Sequence, residues 1–561
     1  MRSLALFLVL LMAALTPRPA AAVVVLGWHD IRDRIPDGDP DADAITARNF
    51  AMQLDWLRAH GYVPVTAQAL RDARDGRAAL PPKAVLLTFD GGYRSAYTHA
   101  LPLLEAFGYP ALVALPTARI DAGAGAMLRE GARALPRDAF LTWADVKALQ
   151  ASGLVELASQ GHDLVTPVPA DPQGDLLPAS TTRRWDGGYE SDAAYRERLR
   201  RDLATSAELI ARATGRRPQA LVLPGSAGNT AAAALAGSLG MPLVLASDAR
   251  SGSADARFGG HLSLDAAPAN PVRLVMHDNP GASDLAYELR RDVRRDGLRG
   301  VHVALDDIVG ADAAATGRNV EALAERIRGI HPSHVFLQAL TDTNGDGRVD
   351  AAYFPTARLP MRSDLFTHVA ARLMARAGVD VYAWVPGDGP ADASAVYEDL
   401  AIAAPISGLV FDDANAGSSN ASRALVAAAS AWRPGMVTMH AVPASAGDAP
   451  GLAARLAALA DDDFVAVMLP PGLRANRGDV DRIVANVARV PGALDRTVFV
   501  VDAGDATHAV PAAELEAQVR RVIASGGQHV AYSRDNALTD QPPLDPARAA
   551  ISARAFPYLE R

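Results

Sequence analysis

The 561-residue chain has no cysteine at all. That excludes disulfide scaffolds, thiolate zinc sites, iron-sulfur ligation, cysteine nucleophiles and acylation at a lipobox or juxtamembrane cysteine. Any metal has to be held by His, carboxylate or carbonyl groups. Positive charge is not in excess either: 55 Lys and Arg face 64 Asp and Glu, a net charge of -9, so nucleic acid is not an expected partner. Aromatic residues make up only 6%, which gives little material for a broad sugar-stacking platform, although placement matters more than total. Long apolar runs are missing beyond Leu4 to Leu15. That run follows a short basic start at Met1-Arg2 and precedes the small residues Ala20-Ala21-Ala22, the pattern of a secretory signal peptide over residues 1–22. No transmembrane span is expected in the mature chain. With 49% hydrophobic and 21% charged residues, the remainder is expected to form ordinary globular cores.

From Val23 onward, β-rich apolar runs alternate with helical patterns, which predicts an α/β architecture with parallel strands. In the second half such runs end near Leu305, Ala339, Trp384, Phe411, His440, Leu469, Val501 and Tyr532. Helical stretches lie between them, among them Asn319 to Ile330, Asp364 to Ala377, Leu452 to Ala460 and Ala512 to Ala524. Eight such units over roughly 250 residues are what a (β/α)8 barrel requires. The first half carries runs ending at Trp28, Phe89, Leu115, Ala158, Pro224, Ala246 and Met276, enough for a second, incomplete barrel. Pro167 to Asp192, rich in Pro, Gly, Ser and Asp, reads as a long surface loop. The charged stretch Arg290 to Asp296 reads as a solvated helix face near the junction, and the boundary is placed at residue 298.

In the first half an apolar strand runs into Thr88-Phe89-Asp90-Gly91-Gly92-Tyr93. A carboxylate at the C-terminal end of a barrel strand stands where barrel active sites lie. The stretch resembles the TFDDGY motif of polysaccharide deacetylases. The resemblance implies that Asp90 takes the place of the general base, whereas Gly91 replaces the first metal ligand. The family's two histidine ligands fall on Gln160 and on Leu164 or Val165, and the residues that help hold the oxyanion are altered at Leu223-Pro224-Gly225-Ser226. Removing an N-acetyl group by that route needs a cation to acidify water and polarise the carbonyl. The site is therefore expected to be a degenerate one with no cofactor. A divalent metal such as zinc would enter only through a rewired set, for which His29, His162 and Asp163 are the weak candidates.

In the second half, His334 to Pro355, Leu359 to Phe366, Gly378 to Pro386 and Gly408 to Ala414 resemble the C-terminal domain of periplasmic poly-β-1,6-N-acetyl-D-glucosamine N-deacetylases of the PgaB type. The resemblance implies two barrels in tandem: a NodB-like deacetylase barrel over residues 23–298 and a glycoside-hydrolase-like (β/α)8 barrel over residues 299–561. It also implies a role in biofilm exopolysaccharide processing, with a β-1,6-linked N-acetylglucosamine polymer as substrate and an outer-membrane polysaccharide exporter as partner. Without a lipobox cysteine the chain is expected to be soluble in the periplasm. Asp412 and Asp413 follow the fourth strand of the second barrel, and either can be the acid that glycosidic hydrolysis needs. Asp306, after the first strand, is the second carboxylate. The relatives carry His-Asp-Asp here, whereas this chain has Phe411 where the His would stand, or is one residue shorter. Trp384 and Tyr353 are candidate sugar platforms, with a core role open for Trp384, and Gln338 and Asp342 are further candidate substrate contacts. Asp342 also begins a stretch like a calcium loop, but its twelfth position is Tyr353 rather than a bidentate Glu, so a structured rim loop is expected. The expected activity is hydrolysis in the second barrel. A non-catalytic glycan-binding or export scaffold and a deacetylase with a rewired metal site are the alternatives.

Overall fold

The computed structural model describes residues 23–553 apart from 37–42, 132, 226–227, 248–271, 290–296, 388, 391, 413–418, 434–435, 446, 474–477 and 505–509. The signal-peptide residues and the arginine-rich stretch 290–296 therefore lie outside the described residues.

The first half is built on parallel strands β1 (Val23–Trp28), β2 (Val63–Pro64), β3 (Ala84–Phe89), β4 (Ala111–Leu115), β5 (Val155–Ser159), β6 (Ala220–Val222), β7 (Leu243–Ser247) and β8 (Val272–Val275). Their order is β1-β8-β7-β6-β5-β4-β3-β2, and β1 also pairs with β3, so the pairings curl back on themselves. The ring is thinnest between β5 and β6, which share one registered pair, Ser159 with Leu221. The apolar runs are nearly continuous because both faces of each strand are covered. In β1, Val24, Leu26 and Trp28 pack outward among the helices, while Val25 points inward with Leu86, Leu112, Ala158 and Val222.

The second half is a closed barrel of β9 (Arg299–Val303), β10 (His334–Gln338), β11 (Asp380–Pro386), β12 (Gly408–Asp412), β13 (Val437–Pro443), β14 (Phe464–Met468), β15 (Thr497–Asp502) and β16 (His529–Asp535). Each apolar run of the sequence becomes one of these strands. The interior is filled by Phe336, Tyr382, Trp384, Met439, Phe464 and Val498, so it is a packed core and not a pore. Gly408 is needed at its position, because a Cβ there would meet the carbonyl oxygen of Val437 at 2.8 Å and the Tyr382 ring at 2.9 Å.

The segment 167–192 departs from the expectation of a surface loop. It forms a short antiparallel ladder, Val168–Pro169 with Leu176–Leu177, buries Asp171 and Ser180, and leads into α1 (Asp192–Thr214). Its polar composition serves contacts with the second barrel. Gln173 donates to the Asp364 carbonyl at 2.8 Å and the Tyr189 hydroxyl to the Asp364 carboxylate at 2.5 Å. Tyr195, Leu199 and Leu203 of α1 belong to the same apolar cluster as the outer faces of the second barrel's strands, so the two halves meet through an apolar contact. Among the described residues, no helix is long and apolar enough to cross a membrane.

Candidate functional sites at the two barrel mouths

Asp90 follows β3 directly and is buried, with its carboxylate ion-paired. Arg273, projecting inward from β8, places its guanidinium nitrogens 3.0 and 3.1 Å from the two oxygens. The Gln160 side-chain amide donates to the same carboxylate at 3.1 Å, and His29 Nε2 stands 3.3 Å away. Gly27 makes room for this arrangement, because a Cβ there would meet the Arg273 guanidinium at 2.6 Å. Burial would raise the Asp90 carboxyl, but Arg273 and His29 outweigh it and hold the group well below the usual carboxylate range. Burial likewise lowers His29, yet the carboxylates of Asp90 and Asp43 prevail and raise it to about 9, so the ring is a cation at neutral pH. His277, after β8, bonds Asp43 at 2.7 Å and completes the charged cluster. A carboxylate this stabilised and surrounded by donors is a poor base.

The donor set does not fit the divalent metal of the deacetylase motif. Gly91 has φ +80°, and a side chain there would strike the Tyr93 ring at 2.7 Å. Gln160 turns its carbonyl to the Gly91 N–H at 2.8 Å and its amide to Asp90, filling the position with a neutral bridge. Leu164 is buried in the apolar core. The three weak candidates from sequence are not assembled around one point. His29 is paired with Asp90, while His162 Nδ1 faces the Thr117 hydroxyl at 3.0 Å and Asp163 accepts from Thr166 at 2.6 Å. The physical reason lies in the backbone after β5. Asp202 accepts the N–H groups of His162 and Asp163 at 2.7 and 2.8 Å and fixes that turn, with the His162 ring on Thr117.

The mouth of the second barrel is arranged differently. Asp306 lies in a short turn after β9, at the strand's C-terminal end, with its side chain 38% exposed. Gln338 at the end of β10 donates to it at 2.6 Å, the Thr341 hydroxyl at 2.8 Å and the Tyr353 hydroxyl at 2.5 Å. Asp306, Gln338 and Tyr353 were singled out separately from the sequence, and the fold brings them into contact. The role assigned to Tyr353 is corrected, however. Its ring is completely buried and cannot stack on a sugar, so it acts through its hydroxyl, which burial and the neighbouring Asp306 hold in the protonated form. Thr341 was not anticipated, and nothing in the local sequence distinguishes it.

Three strands along, Asp412 ends β12 and is exposed at the rim. Its carboxyl is raised by partial desolvation, against which the Trp384 indole N–H, donating at 3.2 Å, lowers it. Trp384 itself is a core residue, stacked on His302 with ring centroids 4.3 Å apart, and the platform reading is overturned by the depth of its ring in the barrel. Burial of His302 lowers it to about 3, so this stack is neutral. Gln338 and Trp384 are registered neighbours on β10 and β11, so a continuous set of contacts runs from Asp306 to Asp412. Asp413 lies outside the described residues. Asp342 is turned inward on its own loop, accepting the N–H groups of Gly345 and Gly347 at 2.7 and 2.6 Å, which makes it a loop organiser rather than a substrate contact.

Both halves have matches among known families. Residues 77–244 match the polysaccharide deacetylase family model, and residues 302–387 match one described as hypothetical glycosyl hydrolase family 13. The poly-β-1,6-N-acetyl-D-glucosamine N-deacetylase of Escherichia coli K12 is 33% identical over 375 residues, 66% of this chain and 54% of that protein. The chain resembles the two-domain N-deacetylases of the PgaB type. It matches about half the length of the curated relatives. Solved structures match each half separately. The deacetylase domain of BpsB from Bordetella bronchiseptica is 38% identical, with 46% of this chain and 98% of that chain covered and a TM-score of 0.40. The glycoside hydrolase domain of PgaB (BpsB) from the same organism is 26% identical, with 46% and 99% covered and a TM-score of 0.41.

Proposed function

We propose that the chain cleaves glycosidic bonds of a β-1,6-linked N-acetylglucosamine polymer at the mouth of its second barrel, within periplasmic processing of a biofilm exopolysaccharide on its way to an outer-membrane exporter. The observation that carries this reading is the pairing of unlike carboxyl groups on one rim. Asp306 is held by three donors with its outer face open, whereas the Asp412 carboxyl is raised. Unlike carboxyl environments are what acid-assisted glycoside cleavage uses. Asp412 gives its proton to the glycosidic oxygen as the bond from C1 to that oxygen breaks. The new bond to C1 is made either by water, whose proton Asp306 takes, or by the carbonyl oxygen of the substrate's own 2-acetamido group, which Asp306 orients and which water then displaces, returning a proton to Asp412. Asp413, next in the chain, is the alternative acid.

N-deacetylation, the activity in the names of the relatives, is not proposed for the first barrel. Its aspartate is neutralised by Arg273, and its donor set does not suit a divalent cation. That same decay favours one second reading, in which both mouths hold the polymer without chemistry.

Incubation of the purified mature protein with partially deacetylated polymer, followed by chain-length and acetate measurement, separates the readings. Shortening that disappears in Asp412→Asn and falls steeply in Asp306→Asn is the expected result. Shortening that survives Asp412→Asn but disappears in Asp413→Asn moves the acid to Asp413. Acetate release stimulated by zinc or cobalt would overturn the account of the first barrel. Binding with neither product leaves the scaffold.

A further inference from the structure

The contact between segment 167–192 and the second barrel contains a group that neither barrel mouth uses. Asp171-Pro172-Gln173-Gly174-Asp175 closes a tight turn: the Gly174 N–H donates to the Asp171 carbonyl at 3.2 Å and the Asp175 N–H to an Asp171 carboxylate oxygen at 3.0 Å. Gly174 has φ +88°, a conformation that favours glycine. The turn brings two carboxylates together beside the first turn of α2 (Phe366–Ala377), where His368 Nδ1 meets Asp175 Oδ2.

One ligand atom from each of Asp171, Asp175 and His368 lies within 4.8 Å of the others. Asp171 is only 1% exposed, and its Oδ2 has no hydrogen-bond donor. A buried carboxylate oxygen left without a partner is costly, and a second carboxylate beside it adds repulsion. Arg372 offsets part of this charge, but its Nε is 3.8 Å from the Oδ1 of Asp175 and leaves the Asp171 oxygen unserved.

We propose that Asp171, Asp175 and His368 hold a divalent transition-metal cation of the zinc class, which fastens segment 167–192 to the outer helix of the second barrel. Two carboxylate oxygens and one imidazole nitrogen are ligands that zinc, cobalt and manganese accept, with water completing the shell. Its place gives it a mechanical consequence. The N–H groups of Leu365 and Phe366, where α2 begins, donate to the Tyr353 carbonyl at 3.0 and 2.8 Å, and the Tyr353 hydroxyl holds Asp306. A cation that fixes α2 therefore stiffens the support of the rim carboxylate, while its binding stands independently of any hydrolase activity.

The test uses the full mature chain, stripped with a chelator and titrated with zinc alone, with bound metal counted by elemental analysis and stability followed by thermal melting. One zinc per chain and a rise in Tm of several degrees are expected. Asp171→Asn and His368→Gln should each weaken binding at least tenfold, while His162→Gln and Asp163→Asn bind as the unaltered chain does. No retained zinc, or equal affinity in Asp171→Asn and His368→Gln, overturns the proposal. Should those variants fail to fold, cobalt titration of the unaltered chain decides. Visible d–d absorption that saturates at one equivalent, is displaced by zinc and persists in His162→Gln supports the site, and its absence overturns it.

Discussion

Asp90 shows how one exchange of neighbours changes the use of a carboxylate. Between a fully buried guanidinium and a histidinium it is a structural anion, and removing the guanidinium would leave it buried with the His29 imidazolium as its remaining counter-charge. Arg273→Met is therefore expected to destabilise the protein by about 3–5 kcal/mol in urea denaturation, the usual penalty for breaking a buried pair from one side. The pH dependence has two signs. His29 is raised to about 9, so its contribution is complete below the ordinary imidazole range of about 6.5 and is lost as pH climbs through 9. Asp90 is depressed, so its contribution is complete above the ordinary carboxylate range, near about 4, and is lost as pH falls below it. Melting temperatures of the unaltered chain should decline between roughly pH 6.5 and 9, and His29→Gln should flatten that decline. The departures from the deacetylase motif at Gly91, at Gln160 and at Leu164 or Val165 were legible in the sequence. That Arg273 occupies the space was not, because it lies 183 residues from Asp90 in the chain and nothing local marks it as an interior residue.

At the level of single strands and turns, the second barrel positions its rim by hydrogen bonds made from the elements below. β9 delivers Asp306, β10 delivers Gln338, and the segment that follows returns Tyr353 to the first strand's mouth. Tyr353→Phe removes the bond to Asp306 while keeping the buried ring. With a hydrogen bond to a charged group worth roughly 1.5–3 kcal/mol, the rate of polymer shortening should fall about tenfold or more, with far-ultraviolet circular dichroism unchanged. Element placement was the most readable level of the chain. Apolar runs alternating with helical stretches predict all eight strands of the closed barrel, and the positions of Asp306 and Asp412 at strand ends follow from them. Which ring lies inside did not follow: Trp384 and Tyr353 sit in motifs that suit either a platform or a core, and only the direction of each side chain separates the two.

Across the whole molecule, one side of the first barrel, with α1 and segment 167–192, joins the apolar cluster on the second barrel's outer face, while the rest of the first barrel keeps clusters of its own. Trp432 is a central part of that contact. Its ring lies beneath the guanidinium groups of Arg183 and Arg196, at 5.6 and 5.4 Å, and 6.3 Å from the Tyr195 ring. The protein is expected to unfold in a single calorimetric transition. Trp432→Ala, at about 3–5 kcal/mol, should split the transition in two. Sequence alone determined that there are two α/β units, that the second has eight strands, and that the first departs from the deacetylase motif at Gly91, because strand periodicity and motif spacing are local properties. Tertiary structure decided that the presumed surface loop is an interface, that Asp90 is sealed by an arginine, and that Asp175 meets His368 across 193 positions. Those contacts depend on chain segments distant in sequence converging in space, and no local pattern encodes which segments will meet.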